Sequence, residues 1–348
     1  MISFDRTQIE AAAALIGERT HLDALRTHLP QYFEPQVENS VSEGGSLPFR
    51  AAVFNMEQCT RVQYIIPFLQ CHPQLRDLDV ILANELDIGM ARSGNRDTPR
   101  EIAQALGMNY VFGIEFITRK AWQNGNAQGL HGNAIFSKFP LHRCKVVPLP
   151  ILFDWFYMPG DPRLGMRNAI FAEAEVADGK RIGLVSVHLE NRATPQERLR
   201  QMTFLLDEVE RYFGDLPVLI GGDMNTNTVS GNTPGSMEEL EENPQEQLRR
   251  LGDIPSLEPL MDFAARRGFS YRDCNLMNKA TRRKPMPSGA TVKLNLDWFF
   301  QRGLKCSQPQ RVETILRMKD LENPPAHVAE FEEKELSDHD VVTVMVEC

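Results

Sequence analysis

The chain has 348 residues, 42% apolar and 24% charged, a balance that excludes general disorder and allows one large core. Its net charge of −9 weighs against a nonspecific binder of long duplex DNA, with Arg282-Arg283-Lys284 as a local basic patch that runs against the balance. No apolar run reaches the roughly 18 residues of a membrane span, and the opening Met1-Ile2-Ser3-Phe4-Asp5-Arg6 has no basic stretch leading into an apolar one.

The sequence therefore predicts a protein without a transmembrane segment, cytoplasmic and monomeric. The six cysteines, Cys59, Cys71, Cys144, Cys274, Cys306 and Cys348, form no C-x-x-C pair and read as buried free thiols in a reducing compartment.

In chain order, residues 9–25 read as one helix, ended by Pro30 and Pro35. Ser42-Glu43-Gly44-Gly45-Ser46 reads as a turn or linker. Residues 1–47 are thus expected to be a helical extension packed on a main domain over 48–348. From Pro48 onward short apolar runs alternate with polar helices and loops. Strands are predicted at 51–54, 80–83, 134–136, 169–176, 182–187, 218–220, 296–300 and 341–346. Helices are predicted at 98–106 and 194–213, the second opening on Thr194-Pro195-Gln196-Glu197 with a cap residue and a proline at the first helical position. Residues 113–132 and 231–245 read as loops, the latter a mobile surface loop. His21, His28, His72, His142 and His327 read as surface residues, and His131 as a histidine in reach of Asn133.

The residues at the ends of the apolar runs carry the chemistry. Run 51–54 ends at Asn55, run 80–83 at Asn84-Glu85 and run 182–187 at His188. Run 218–220 leads through Gly221-Gly222 to Asp223-Met224-Asn225. Asp297 comes after Leu296, and Ser337-Asp338-His339 precedes the last run. Any one of these polar residues is ordinary turn chemistry. Six in one chain, in a consistent order, predict a cluster along one edge of packed sheets. Carboxylate and amide oxygens are hard ligands suited to Mg²⁺ or Mn²⁺, and histidine beside carboxylate supplies acid–base catalysis worth roughly 10²–10⁴ in rate. Asp223 and Asn225, two apart, are expected on one face of an extended segment.

The ordered set Asn55, Asn84-Glu85, Gly132-Asn133-Ala134-Ile135-Phe136-Ser137, His188-Leu189, Gly222-Asp223-Met224-Asn225, Asp297 and Ser337-Asp338-His339 resembles the endonuclease/exonuclease/phosphatase superfamily over about residues 50–348. Two departures are modest: Asn84 stands where Gln is usual, and Val341 where the last motif often has proline. The first 47 residues have no counterpart in the resemblance.

The resemblance implies an α+β sandwich of two packed, mostly antiparallel β-sheets flanked by helices, four layers ordered αββα. It implies Glu85 as principal metal ligand with Asn55 and Asp338 nearby, and Asp223 and Asn225 orienting water or touching a second metal. Asp297 would fix the tautomer of His339, which contacts or activates at the phosphate. His188 and Arg167 would bind phosphate oxygens or assist the leaving group, and Asn133 would support the phosphate or the Asp338 loop.

The implied reaction is in-line attack of water on phosphorus, the proton going to Asp223 or to the Asp297–His339 pair. The substrate reading has three branches. In the first, nucleic acid or a nucleotide-like diester is held by Arg92, Arg96, Arg100, Arg119 and Lys120 with stacking on Trp122, Trp155, Phe156 and Tyr157. In the second, the substrate is a small-molecule or lipid-headgroup phosphate, with residues 149–158 either facing lipid or folded on the core. The third is an inactive binding relative, against which the intact motifs argue.

Overall fold

The computed structural model describes every residue except 1–2, 17–19, 42–44, 46, 119–124, 177–178 and 234. One sheet runs Gln36–Glu38, Asn109–Thr118, Leu130–Ser137, Val80–Ile88, Phe49–Asn55, Val341–Glu347 and Lys305–Val312, with Arg163–Gly165 also paired to Asn109–Thr118. The second runs Asp297–Arg302, Val218–Asp223, Arg181–His188, Asn168–Glu175 and Leu141–Pro148. Each sheet has one parallel pair at its centre, Phe49–Asn55 with Val80–Ile88 and Val218–Asp223 with Arg181–His188. The remaining pairings are antiparallel.

Strand alternation sorts the apolar side chains into layers. Ala51, Val53, Val80 and Leu82 of one sheet meet Ile170, Ala172, Leu184, Leu219 and Phe299 of the other in the central core. The opposite face of the first sheet, through Ala52, Phe54, Ile81 and Ala83, packs on helix Val62–Cys71, helix Thr98–Leu106 and the N-terminal segment. The outer face of the second, through Val185, Val187, Val218 and Ile220, packs on helix Pro195–Phe213 and helix Pro259–Arg266. The result is a four-layer αββα sandwich, the fold class read from the sequence.

Several local expectations change. The helix expected over 9–25 is two helices, Arg6–Leu15 and His21–His28. The segment after them adds strand Gln36–Glu38 to the edge of the first sheet, and Tyr32 donates to the Glu115 carbonyl at 2.7 Å. The loop expected over 113–132 is the end of one strand and the start of another, Asn109–Thr118 and Leu130–Ser137. The loop expected over 231–245 forms helix Ser236–Glu242 and the start of helix Pro244–Gly252, which Asn243 caps by accepting from the Glu246 amide.

Of the presumed linker 42–46, only Gly45 lies within the described residues. The six cysteines are free, and Cys59 and Cys274 are buried. Among the described residues no helix is long and apolar enough to cross a membrane.

Candidate active site

Register brings the polar strand ends together. In the parallel pairs Asn55 stands opposite Asn84, and Asp223 opposite His188; Asp223 also faces Asp297 across the antiparallel pair. Gly221 permits the two sheets to meet here, since a Cβ on it would lie 2.6 Å from a Val53 methyl. Gly222, at φ +150°, would place a Cβ 1.8 Å from the Val187 carbonyl oxygen.

Glu85 sits in a bulge of its strand, between the paired residues Ala83 and Leu86, with φ +59°. A non-glycine residue in the left-handed region at a bulge is re-aimed out of the strand's alternation. Its carboxylate accepts from Asn55 Nδ2 at 3.1 Å, and the same amide nitrogen reaches Asp223 Oδ2 at 3.1 Å. Asn55 Oδ1 accepts from the Glu57 backbone, so the amide nitrogen orients the two carboxylates while the oxygen keeps a lone pair. Burial works to raise the Glu85 carboxyl, but His188, His131, the Asn55 hydrogen bond and His339 outweigh it and hold the group well below the usual carboxylate range.

Asn84 ties the sheets: it donates to Asn133 Oδ1 at 3.0 Å and to the Val187 carbonyl at 3.2 Å, and accepts from the Asp223 amide at 2.8 Å. Asn133 continues to Asn168 at 3.0 Å, which donates to the Ile114 carbonyl.

Asp223 lies at the centre. Its Oδ2 is 3.5 Å from His188 Nε2 and 3.8 Å from His339 Nε2. Asn225 is not on an extended segment: the strand ends at Asp223, and Asn225 takes φ +49°. Its backbone N–H caps Asp223 Oδ1 at 2.9 Å, and its side chain donates to the Leu189 carbonyl.

His339 Nδ1 meets Asp297 Oδ2 at 2.8 Å, and Thr281 donates to the same oxygen at 2.6 Å. Burial disfavours the imidazolium, yet Asp297, Asp338 and Asp223 together push His339 up to about 10. Asp338, whose Oδ1 is 3.9 Å from His339 Nε2, is held by a two-nitrogen contact from Arg282 at 2.9 and 2.8 Å.

The second group is Arg167 with the His188 ring beside it. Arg167 Nη1 is 2.9 Å from His188 Nδ1 and 3.2 Å from Glu115 Oε1, while its Nε reaches Glu190 Oε2 at 3.4 Å. Buried Glu115 is lowered to about 2: burial opposes the charge, and Arg167 and His188 more than compensate.

Asn55, Glu85, Asn133, Arg167, His188, Asp223, Asn225, Asp297, Asp338 and His339 thus belong to one hydrogen-bonded or near-contact network. Three further members carry no signal in the strand-end pattern. Glu115 and Glu190 support Arg167, and Arg282 clamps Asp338. A glutamate inside Phe112-Gly113-Ile114-Glu115-Phe116 is the available signal, because a charge within an apolar run must be paired.

Two histidines differ from their expected setting. His21 is buried and hydrogen-bonded to Asp154, and buried His131 lies 2.8 Å from Asp87.

The residues fit a divalent cation by charge balance. Glu85, Glu115, Glu190, Asp223, Asp297 and Asp338 are six carboxylates against the cations Arg167, Arg282 and His339, and carboxylate stays in excess even with the His188 imidazole counted, which calls for positive charge. Asp223, Asp297 and His339 can bring three ligand atoms within 4.8 Å of one another. The Asp297–His339 contact has the length of a hydrogen bond, so these two serve each other, and Glu85, Asp223 and Asp338 keep carboxylate lone pairs beyond the hydrogen bonds they accept from Asn55, Asn225 and Arg282.

A model of the Endonuclease/Exonuclease/phosphatase family matches residues 54–276. No curated protein matches the chain. Among solved structures, the endonuclease/exonuclease/phosphatase from Beutenbergia cavernae DSM 12333 is 17% identical over 86% of this chain and 71% of that one, with a TM-score of 0.54. An endonuclease/exonuclease/phosphatase family protein from Bacteroides thetaiotaomicron is 14% identical over 86% and 98%, with a TM-score of 0.51. The mannosyl-6-phosphatase of Bacteroides thetaiotaomicron VPI-5482 is 13% identical over 86% and 100%, with a TM-score of 0.51. At these identities the likeness is one of fold.

Proposed function

We propose, from the premise that this chain belongs to the endonuclease/exonuclease/phosphatase family, whose members are hydrolases of phosphoester bonds, that it is a divalent-metal-dependent phosphodiesterase acting on a nucleotide-like substrate. The observation that carries the reading is Asp223 held between two imidazoles and an amide, beside a Glu85 carboxylate kept ionised in a half-buried setting. Glu85 and Asp338, with Asn55 and Asp223 beside them, would hold Mg²⁺ or Mn²⁺. When bound, the ion supplies positive charge to the phosphate oxygens and the departing oxygen.

The chain's own residues do the rest. Asp223 accepts the proton of the attacking water; its Oδ1 is fixed by the Asn225 backbone and its Oδ2 by Asn55, so the carboxylate is held in one orientation for that work. Asp297 fixes the His339 ring through Nδ1, so Nε2 faces Asp223 and a phosphate oxygen placed beside it. Arg167, with the His188 ring beside it, supplies a second positive wall, kept in place by Glu115 and Glu190. Asn133 links Asn84 to Asn168, the residue that follows Arg167.

A long nucleic-acid polymer is the weaker form of the substrate reading. Arg92, Arg96 and Arg100 are taken by Asp87, Glu101 and Glu38. Trp155 and Phe156 are buried, with Trp155 donating to Glu190. Arg119, Lys120 and Trp122 lie outside the described residues. In the 149–158 stretch Leu149, Trp155 and Phe156 fold on the core, while Ile151 and Tyr157 are exposed.

The purified protein is to be assayed with Mg²⁺ on bis-p-nitrophenyl phosphate, p-nitrophenyl phosphate, dinucleotides, single- and double-stranded DNA, RNA and a phospholipid headgroup ester. Diester preference on dinucleotides supports the proposal. A preference for p-nitrophenyl phosphate moves it to the small-molecule phosphatase reading. No cleavage of any member leaves the inactive binding relative.

A further inference from the structure

We propose that the cavity beside the catalytic cluster is a subsite for a second, non-scissile phosphate group of the substrate, held by Arg192, Arg282 and Lys284. The inference rests on the phosphodiesterase reading and extends it to the substrate's chemistry.

The cavity holds about 250 Å³ and shares two residues with the site already described, Asn225 and Arg282. It is roofed by Asn227, Gly231, Thr233 and Glu238 and walled by the hairpin Arg282–Pro285 and Thr291–Leu294. On that hairpin, residues two apart share a face. Arg283 turns away to Glu335, Asp340 and Thr314. Its neighbours Arg282 and Lys284 line the cavity from the other face.

Arg192 enters from the opposite wall, its guanidinium 5.1 Å from the centre of the Phe153 ring and 5.7 Å from that of Trp155. Among the described residues neither Arg192 nor Lys284 has a carboxylate in ion-pair contact, in a chain where Arg92, Arg96 and Arg100 are each paired. Exposed Glu238 is the acidic member of the lining, against three cations.

Like charges brought to one concavity repel, and two unpaired cations, Arg192 and Lys284, beside an Arg282 already held by Asp338 mark an anion site. The crowding is felt at Lys284: burial first, then Arg282 and Arg192, lower its ammonium below the ordinary lysine value, with Glu238 pulling the other way. An oxyanion between the three removes the repulsion. Asn227 and Asn225 add amide groups to the lining. Because Arg282 also grips Asp338, an anion in the subsite is linked to the catalytic cluster through one side chain.

A phosphate here lies beside the one attacked at Asp223, as in a nucleotide with a terminal phosphate next to its diester. Two sources offer that chemistry: a terminal phosphate on a short substrate, and the next linkage of a longer strand.

Steady-state kinetics with Mg²⁺ on TpT, pTpT, TpTp and TpTpT test the subsite in the wild type, Lys284→Ala, Arg192→Ala and the conservative Lys284→Arg. The subsite predicts kcat/KM at least about tenfold higher, through KM, for a substrate carrying the second phosphate than for TpT, since charge-assisted contacts are the stronger class of hydrogen bond. The ratio should fall below about threefold in Lys284→Ala and return in Lys284→Arg. Preference for pTpT or TpTp over TpTpT assigns the terminal group, and the reverse assigns the longer strand. A wild-type ratio near one, or a ratio that survives both alanine variants, overturns the subsite.

If the wild type cleaves none of the four, the phosphodiesterase reading fails and binding decides the subsite. Tenfold tighter binding of thymidine 3′,5′-bisphosphate than of thymidine 5′-monophosphate, lost in Lys284→Ala, upholds it. Equal affinities overturn it.

Discussion

At the scale of single residues the site is a set of carboxylates made tolerable by their partners. Glu115 is fully buried, its Oε1 3.2 Å from Arg167 Nη1 and its Oε2 3.5 Å from His188 Nδ1. Its carboxyl falls from 4.5 to about 2 on folding. A depressed carboxyl stabilises the fold above its unfolded value and loses that contribution as pH falls through the folded value. Glu115 therefore contributes about 3 kcal/mol at neutral pH, at roughly 1.4 kcal/mol per pH unit, lost between about pH 4.5 and 2. Urea unfolding from pH 7 to 2 should show a flatter acid limb in Glu115→Gln than in the wild type; identical limbs would mean that Glu115 gains nothing from its partners.

Asp223→Asn, which keeps the shape but loses the acceptor, should lower turnover by about 10²–10⁴ while leaving circular dichroism unchanged. A rate within threefold of wild type would hand the proton to another group. Most of these residues were legible because each stands at the end of an apolar run. Glu115 was not, since it stands in a strand that the sequence read as loop, nor Arg282, on a hairpin the sequence did not mark, nor Glu190, which lies past the strand ending at His188 and takes its role from Arg167 and Trp155. Asn225 shows the limit of spacing arguments. Two residues apart means one face only while the strand continues, and it stops at Asp223.

At the scale of elements the site depends on two sheets closing at their strand ends. Gly222→Ala would drive a Cβ into the Val187 carbonyl, and Gly221→Ala would push one against Val53 and Leu82. Each should destabilise the fold by about 2–4 kcal/mol, the range of overpacking and backbone strain, read as a lowered urea midpoint with unchanged slope. An unaltered midpoint in both would mean that the sheets have slack here. Helix Pro195–Phe213 was legible because its capping box and first-turn proline are written locally. Helices Ser236–Glu242 and Pro244–Gly252 were less so. Asn243-Pro244 carries the same kind of start signal, hidden in a run of Gly, Asn, Pro and Glu that reads as loop. One helix ends at Leu15 and the next begins at His21, and residues 17–19 between them lie outside the described residues.

At the scale of the molecule the N-terminal segment is part of the sandwich's outer layer. Leu25, Leu29 and Tyr32 are fully buried, and Tyr32 bonds to Glu115 and Met166 on either side of the Arg167 pocket. Removal of residues 1–35 uncovers side chains worth about 1.5–3 kcal/mol each. The shortened chain should melt at least about 10 °C lower or lose its cooperative transition. An unchanged melt would make the segment an accessory. The sequence marked this segment as distinct but could not show its strand joining the sheet, because three residues at a sheet edge carry no periodicity.

The most direct measurement is hydrolysis of bis-p-nitrophenyl phosphate by the wild type and Glu85→Gln, with Mg²⁺ and with EDTA. A metal-dependent site centred on Glu85 predicts turnover in Mg²⁺, its loss in EDTA, and a fall of at least about 10³ in Glu85→Gln, the scale of removing a charge-stabilising group from a site. Hydrolysis that persists in EDTA, or a Glu85→Gln protein as active as the wild type, would contradict it.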